Sequence, residues 1–388
     1  MGFTGFYLMA LLPIVIGFGL WLLNHRIALW EWLLTGVLAF IVAGCFHAGA
    51  ISGMTDDQEV WSGQVLSTHY RPEWRERYKE AVYRTEIYYT GTGKNRQSHT
   101  RRVFSHYETR HRTHPDEWTV NTTLFSTEVS QSKYEQIRRE LGARTKAAPG
   151  RRTTGSMSST MVSGDPNDYD TGNTSGAIIP VAKNVSFENR VKASPSTFSY
   201  RQLTPEESAK LYDYPYIGDA WSTGRNLSGT LSTRKWDELN ARLGPTKHVN
   251  LIVVRLKTPE EARALEAKWI GGKKNDLVLT YGESWSYVFG WTESTLAKTK
   301  LESLLRYHYP LDDRFIPEVE KVIVAHYKMV DWHKFDYLDL KPRTAHYWWL
   351  ALTMFLTQAG AMTWAFMNGE NRVRRMRPIT YPKYNYAS

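Results

Sequence analysis

The sequence predicts a membrane protein with three transmembrane helices and a soluble α+β region, made of an antiparallel β-rich domain and an α/β domain. Three observations predict it. Two charge-poor apolar runs open the 388-residue chain and a third stands near its end. A stretch of alternating apolar and polar residues, rich in Val, Thr, Tyr and Phe, follows the first pair. Beyond it, apolar strand-like runs alternate with well-capped helical segments, the pattern of helices layered on a sheet.

The spans come first. Residues 4–23, "TGFYLMALLPIVIGFGLWLL", contain no charge, and residues 27–50 contain only Glu31. Each is long enough to cross a hydrocarbon core of about 30 Å as a helix. The first lacks the Lys or Arg of a signal peptide and is followed at once by a second apolar run, so an uncleaved helical hairpin is expected. Residues 345–367, "AHYWWLALTMFLTQAGAMTWAFM", form the third. Trp348 and Trp349 lie about 24 Å from Trp364 at helical rise, near the separation of two interfacial belts. Trp21 and Trp30 are the matching anchors of the first pair.

Orientation follows from positive charge in the short segments. Arg26 lies between the first two spans, and Arg372, Arg374, Arg375 and Arg377 lie in the tail, residues 368–388. Both are expected in the cytoplasm, where the tail meets anionic headgroups of the lipid bilayer. The region between the spans is then extracytoplasmic, periplasmic in a bacterial inner membrane, although Lys334, Lys341 and Arg343 on that side narrow the margin. Of the net charge of +10, +6 falls on the middle region, where 43 basic residues are interleaved with 37 acidic ones. That mixture disfavours nucleic acid as a partner. Cys45, the only cysteine, lies in the second span and excludes an intrachain disulfide.

Residues 60–141 read as a β-rich domain with a long hairpin, "EAVYRTEIYYTG" and "TRRVFSHYETRHR" joined by a polar turn. Residues 142–178, "GARTKAAPGRRTTGSMSSTMVSGDPNDYDTGNTSG", are too poor in apolar side chains to build a core and read as a polar flexible loop. Residues 179–340 read as the α/β domain. "TPEESAKLYDY" and "TPEEARALEAKW" place Thr at an N-cap, Pro at the first helical position and acids in the first turn. The order from "HVNLIVVRL" onward is strand, helix, strand, strand, helix, helix.

Within that domain "WIGGKKNDLVLTYG", residues 269–282, has the glycines and lysines of a phosphate loop. Its order is wrong. A phosphate loop follows a strand and opens a helix, whereas here a helix precedes Gly271 and Gly272 and a strand follows. The glycines read as a helix stop, with Lys273 and Lys274 in an exposed turn. The strand "LIVVRL", the helix ending "ALEAKWIGGKKND" and the strand "LVLTYG" resemble the TPM domain, over residues 247–340. The resemblance implies an extracytoplasmic α/β module held by a transmembrane helix. In some relatives acidic loops bind calcium or support phosphatase activity; this sequence has no such cluster, and Asp276 is the one acidic position that carries across. The β-region, with "EVWSGQV", "HYETRHRTHPDEWTV" and "VSFENRVKASPSTF", resembles an uncharacterised group of membrane proteins associated with tailed bacteriophages, which implies a viral partner or setting.

The residues with most chemistry are His106, His111 and His114, followed by Asp116 and Glu117. Imidazoles and carboxylates are zinc ligands, so zinc, or calcium by the TPM resemblance, is the candidate metal. On a strand, however, His106 and His114 share one face and His111 the other, and interleaved arginines oppose a cation. Tyr212, Tyr214, Tyr216 and Trp221 form a candidate contact surface, or ordinary packing. No G-x-S-x-G, H-E-x-x-H or C-x-x-C occurs. The expectation is a non-enzymatic inner-membrane scaffold or assembly protein that self-associates, with no catalytic residues and no cofactor, and with a periplasmic or viral protein partner. The alternatives are a metal-dependent hydrolase or phosphatase, using the TPM-like domain or the histidine hairpin, and a periplasmic glycan- or nucleic-acid-binding protein.

Overall fold

A computed structural model describes residues 3–23, 29–91, 96–142, 145–152, 159–194, 200–221 and 224–376. Helices α1 (Thr4–Leu23) and α2 (Leu29–Thr55) run antiparallel, with Tyr7 Oη 2.9 Å from His47 Nδ1. Strand β1 (Asp56–Arg71) begins at the residue after α2 ends, with no linker between them. The Asn189 N–H donates to the Thr55 carbonyl at 2.6 Å and secures that junction.

Strand β1 continues into β2 (Trp74–Thr90), which pairs with β3 (Gln97–His114). The chain then returns along β1 as β4 (Glu117–Thr122) and turns into β5 (Ser126–Glu128). Arg71 faces Glu117 in one ladder and Trp74 faces His114 in the next, so pairing resumes in the same register after an interruption. Pro72 and Pro115 explain the interruption, because neither has an N–H to give a ladder. The result is one two-stranded ribbon with a break in it, and its outer arm is about 56 Å long at strand rise.

Helix α3 (Gln131–Leu141) lays Tyr134, Ile137 and Leu141 toward the β-sheet, where Val65, Val120 and Val181 complete a small core. Residues 142–178, expected to be a polar flexible loop, contain β6 (Thr145–Pro149), β7 (Thr160–Gly164) and β8 (Asn167–Gly172). This corrects the compositional reading. Strand pairing uses backbone groups, and here β8 bonds to β1 and β6 while β7 bonds to the root of β2. Arg152 does what an apolar side chain cannot: nearly buried, it donates to the carbonyls of Asp165 and Asn167 and to Asp168 Oδ1. Strand β9 (Pro180–Glu188) closes the sheet against the first half of β1.

After the short helices α4 (Arg190–Ala193) and α5 (Pro205–Ala209), the chain builds a second sheet. Its order is β10 (Asn226–Leu227), β11 (Asn250–Arg255), β12 (Asp276–Tyr281) and β13 (Ser286–Gly290), parallel except for the last pair. Leu251, Val253, Leu277 and Leu279 face α6 (Thr233–Lys247), α8 (Thr295–Tyr307) and α9 (Phe315–His326). Ile252, Val254 and Val278 face α7 (Pro259–Lys268). Burial on both faces explains why β11 and β12 are continuous apolar runs rather than alternating ones.

Helix α10 (Thr344–Met376) returns antiparallel to α2, with Gln358 Nε2 donating to the Thr35 carbonyl at 2.9 Å and Asn368 Nδ2 to Glu31 Oε1 at 2.8 Å. Ala10, Ala39 and Ala43 are fully buried where the three helices meet, and their small side chains allow close approach. Two of the described helical segments, Leu33–Thr55 and Thr344–Gly369, are long and apolar enough to cross a membrane. The region before α10 is tied back to the α2–β1 junction: Trp332 Nε1 donates to the Glu188 carbonyl at 2.9 Å, and Glu188 faces Asp56. Both ends of residues 56–343 therefore leave the bundle on the same side.

Candidate functional site

Three places gather the side chains with chemical potential: the turn at 269–276, the break in the ribbon, and the arm beyond it. At the turn, α7 ends at Lys268 and the backbone passes through Ile270, Gly271 and Gly272 at φ of 55°, 76° and 87°. Two of these left-handed positions are glycine because a Cβ strains the backbone there. The Asp276 carboxylate closes the turn by accepting the Lys273 N–H at 2.7 Å, while its other oxygen accepts Tyr214 Oη at 3.0 Å and Asn250 Nδ2 at 2.9 Å. Burial pushes the Asp276 carboxyl above its ordinary range, against those three donors.

The lysines, expected to be exposed, are not. Lys273 is nearly buried and its Nζ lies 2.5 Å from Asp57 Oδ1, above the faces of Tyr214 and Tyr216. Lys274 Nζ lies 3.0 Å from Glu59 Oε1, and Asn275 Nδ2 donates to the Val60 carbonyl at 2.7 Å. Residues 57 and 59 share one face of β1, so two acids at strand spacing meet two consecutive lysines of the turn. Burial pulls the Lys273 ammonium down and the Asp57 carboxyl up, but the contact between them outweighs both, leaving the lysine above and the acid below their usual values. Arg225, fully buried, adds a further tie by donating to Ser62 of β1 and to Asp237 of α6. The turn is thus a polar weld between the α/β layers and the strand that emerges from α2.

At the break, a cavity of about 490 Å³ is lined by Arg71, Trp74, His114, Asp116, Glu117 and Arg151, among others. His114 stacks on Trp74 with centroids 4.1 Å apart, and its Nε2 is 3.4 Å from the Glu76 carboxylate. Asp116 accepts Tyr70 Oη at 2.8 Å and the Glu73 N–H at 3.0 Å, one bond on each side of Pro72. Burial and that carboxylate push the Tyr70 hydroxyl up to about 12. Of the candidate metal ligands, the fold brings only His114 and Asp116 to one cleft. His106 and His111 stand exposed on the arm opposite Val82 and Arg77, and Asp276 belongs to the distant turn. His106 shares a face with His114 but lies about 26 Å away at strand rise. Among the described residues, no group of three His, Cys, Asp or Glu side chains is arranged to hold a metal ion.

The four aromatics at 212–221 also separate. Tyr214 turns inward to Asp276 and Trp269, and Trp221 packs on the small β-core under Lys133. Tyr212 and Tyr216 keep about half their surface in solvent. In the helical bundle Trp30 meets Trp364 edge-on at 6.2 Å, while Trp348 and Trp349 stand exposed at the other end of α10. Arg26 and Arg377 lie outside the described residues, and of Trp21, Arg372, Arg374 and Arg375 only the helical backbone is described.

The residues that sequence reasoning missed are Asp57, Glu59 and Arg225. The one signal for the first two was an acidic pair at strand spacing directly after an apolar helix. Fold and site together define a mixed α/β protein with antiparallel sheets, whose two long apolar helices are compatible with membrane association. Comparison with protein-family models, curated proteins and solved structures finds no match to this chain.

Proposed function

We propose that this chain is a non-enzymatic membrane scaffold: α1, α2 and α10 cross the bilayer, residues 56–343 project from one side, and copies associate with one another. The observation that carries the reading is the direct passage of α2 into β1, locked to the α/β layers by the Lys273–Asp57 and Lys274–Glu59 pairs. A catalytic domain that must move over a substrate gains nothing from such a weld; a strut gains stiffness. The periplasmic placement rests on the short basic segments. A TPM-like module over residues 247–340 is supported by the order of its strands and helices. A phage-encoded origin rests on the resemblance of the β-region alone.

The metal-dependent alternative loses its support at Asp276, whose two oxygens are occupied by the turn, by Asn250 and by Tyr214. The test is native mass spectrometry of the full chain extracted from membranes, with metal analysis of the same sample. A defined metal-free oligomer is expected. A monomer carrying stoichiometric zinc or calcium would overturn the scaffold and make hydrolysis the leading function.

A further inference from the structure

Among the described residues, β7 pairs with β2 only over Trp74–Arg77, and the β2–β3 arm beyond Arg77 has no third strand. Its two faces differ in kind. One carries Tyr78, Glu80, Arg84, Glu86, Arg101, Glu108 and Arg110, and is neutralised by its own ion pairs: Arg84–Glu86 at 2.8 Å, Arg101–Glu86 at 3.2 Å, Arg110–Glu80 at 2.9 Å. The other carries Ala81, Tyr83, Ile87 and Tyr89 on β2 and Phe104 and Tyr107 on β3. Between Lys79 and Tyr89 and their partners it holds no carboxylate. Tyr83, Ile87, Tyr89, Phe104 and Tyr107 are each 46–63% exposed. A free two-stranded ribbon is marginal in water, and an aromatic face of this kind marks an interaction site.

We propose that this face is covered by the same face of a second copy of this chain, which deepens the scaffold reading and rests on it. In this pairing the two-fold axis runs along the arms of two copies held in one bilayer. Such an axis lays β2 of one copy over β3 of the other at equal height. The intramolecular register then sets the intermolecular one: Ala81 meets the second copy's Tyr107, Tyr83 its Phe104, Thr85 its Arg102, Ile87 its Thr100 and Tyr89 its Ser98. Small residues oppose large ones at most levels, and Arg102 meets a threonine rather than another cation. Self-complementarity of this sort is what an isologous interface requires.

The area states how such a contact would behave. From Lys79 to Tyr89 the face is about 36 Å long and about 10 Å wide, so two copies cover roughly 700 Å² in all. That is below the roughly 1,200 Å² of a stable free interface. The bilayer must supply the missing effective concentration, as a linker does for tethered modules.

The test uses the full chain in liposomes, in a Cys45→Ala background, with a short bismaleimide cross-linker. Thr85→Cys on the aromatic face is expected to give cross-linked dimer at least tenfold above Arg84→Cys on the paired face. Equal yields, or a higher yield from Arg84→Cys, would overturn the proposal. So would quenching of a fluorophore on Thr85→Cys by brominated lipid without cross-linking, which would assign the face to a lipid surface. Mass photometry in nanodiscs separates this from the broader reading. A Tyr83→Glu/Phe104→Glu variant that keeps the wild-type oligomer sinks the arm contact alone, whereas a wild-type monomer sinks self-association altogether.

Discussion

Replacing Asp57 by alanine strips the Lys273 ammonium of its partner while leaving it almost without water. The two groups lie 2.5 Å apart, with side chains only 3% and 10% exposed, so surface-pair energetics do not apply. Removing one member of such a pair costs about 3–5 kcal/mol. The rings of Tyr214 and Tyr216, about 5 Å from Lys273 Nζ, return part of that as cation–π attraction of about 1 kcal/mol. Lys192, 3.6 Å from Asp57 and well exposed, adds little. Asp57→Ala should therefore destabilise the soluble region by about 3 kcal/mol. The double variant Asp57→Ala/Lys273→Met buries no unpaired charge and should recover at least about 2 kcal/mol of that loss. Denaturant unfolding of the full chain in detergent, followed by tryptophan fluorescence, reads both. Additivity of the two single changes within about 0.5 kcal/mol would show that the pair is not coupled and refute the weld. The pH dependence has a defined sign. Asp57 is held below its ordinary value of 3.8, so its contribution is present above that value and is lost as pH falls through the lower folded pKa. Lys273 is held above 10.5, so its contribution is present below that value and is lost as pH rises through the higher folded pKa.

Other perturbations test the remaining contacts. Arg152→Met should cost about 3 kcal/mol, because Asp168 and two carbonyls lose a buried donor, and thermal unfolding should show it with the β-signal lost first. Gly272→Ala, at φ of 87°, should destabilise by about 1–2 kcal/mol through backbone strain, whereas Gly53→Ala, with open space around it in α2, should not destabilise at all by the same measurement. Gln358→Leu removes an interhelical bond to the Thr35 carbonyl and should weaken bundle association by about 1 kcal/mol in a detergent-titration assay.

Local pattern made much of the architecture readable. The arm was legible from its alternation, and the strand–helix order from Asn250 to His326 from one N-cap, at Thr258, and two apolar runs, because these signals lie within a few residues of one another. The strands at 145–172 were not legible, since β8 and β7 pair with β1 and β2 from elsewhere in the chain and the segment's own composition resembles a loop. The histidines illustrate the same limit at the site level. Spacing put His106 and His114 on one face, but only the unshifted β2–β3 pairing from Trp74 to Val82 shows that both stand on one extended strand.

What the sequence by itself determined is every property that depends on near neighbours along the chain: the charge-poor apolar helices, the period-two ribbon, the prolines that interrupt it and the glycines that stop α7. What only the tertiary structure decided is which charges meet. Lys273 and Asp57 are 216 positions apart, and Arg225 and Ser62 are 163 apart. A lysine beside two glycines reads as solvent-exposed until a strand from the far end of the chain is laid across it. Its partner is set by the register of that strand, and a one-residue slip would turn Asp57 and Glu59 to the opposite face.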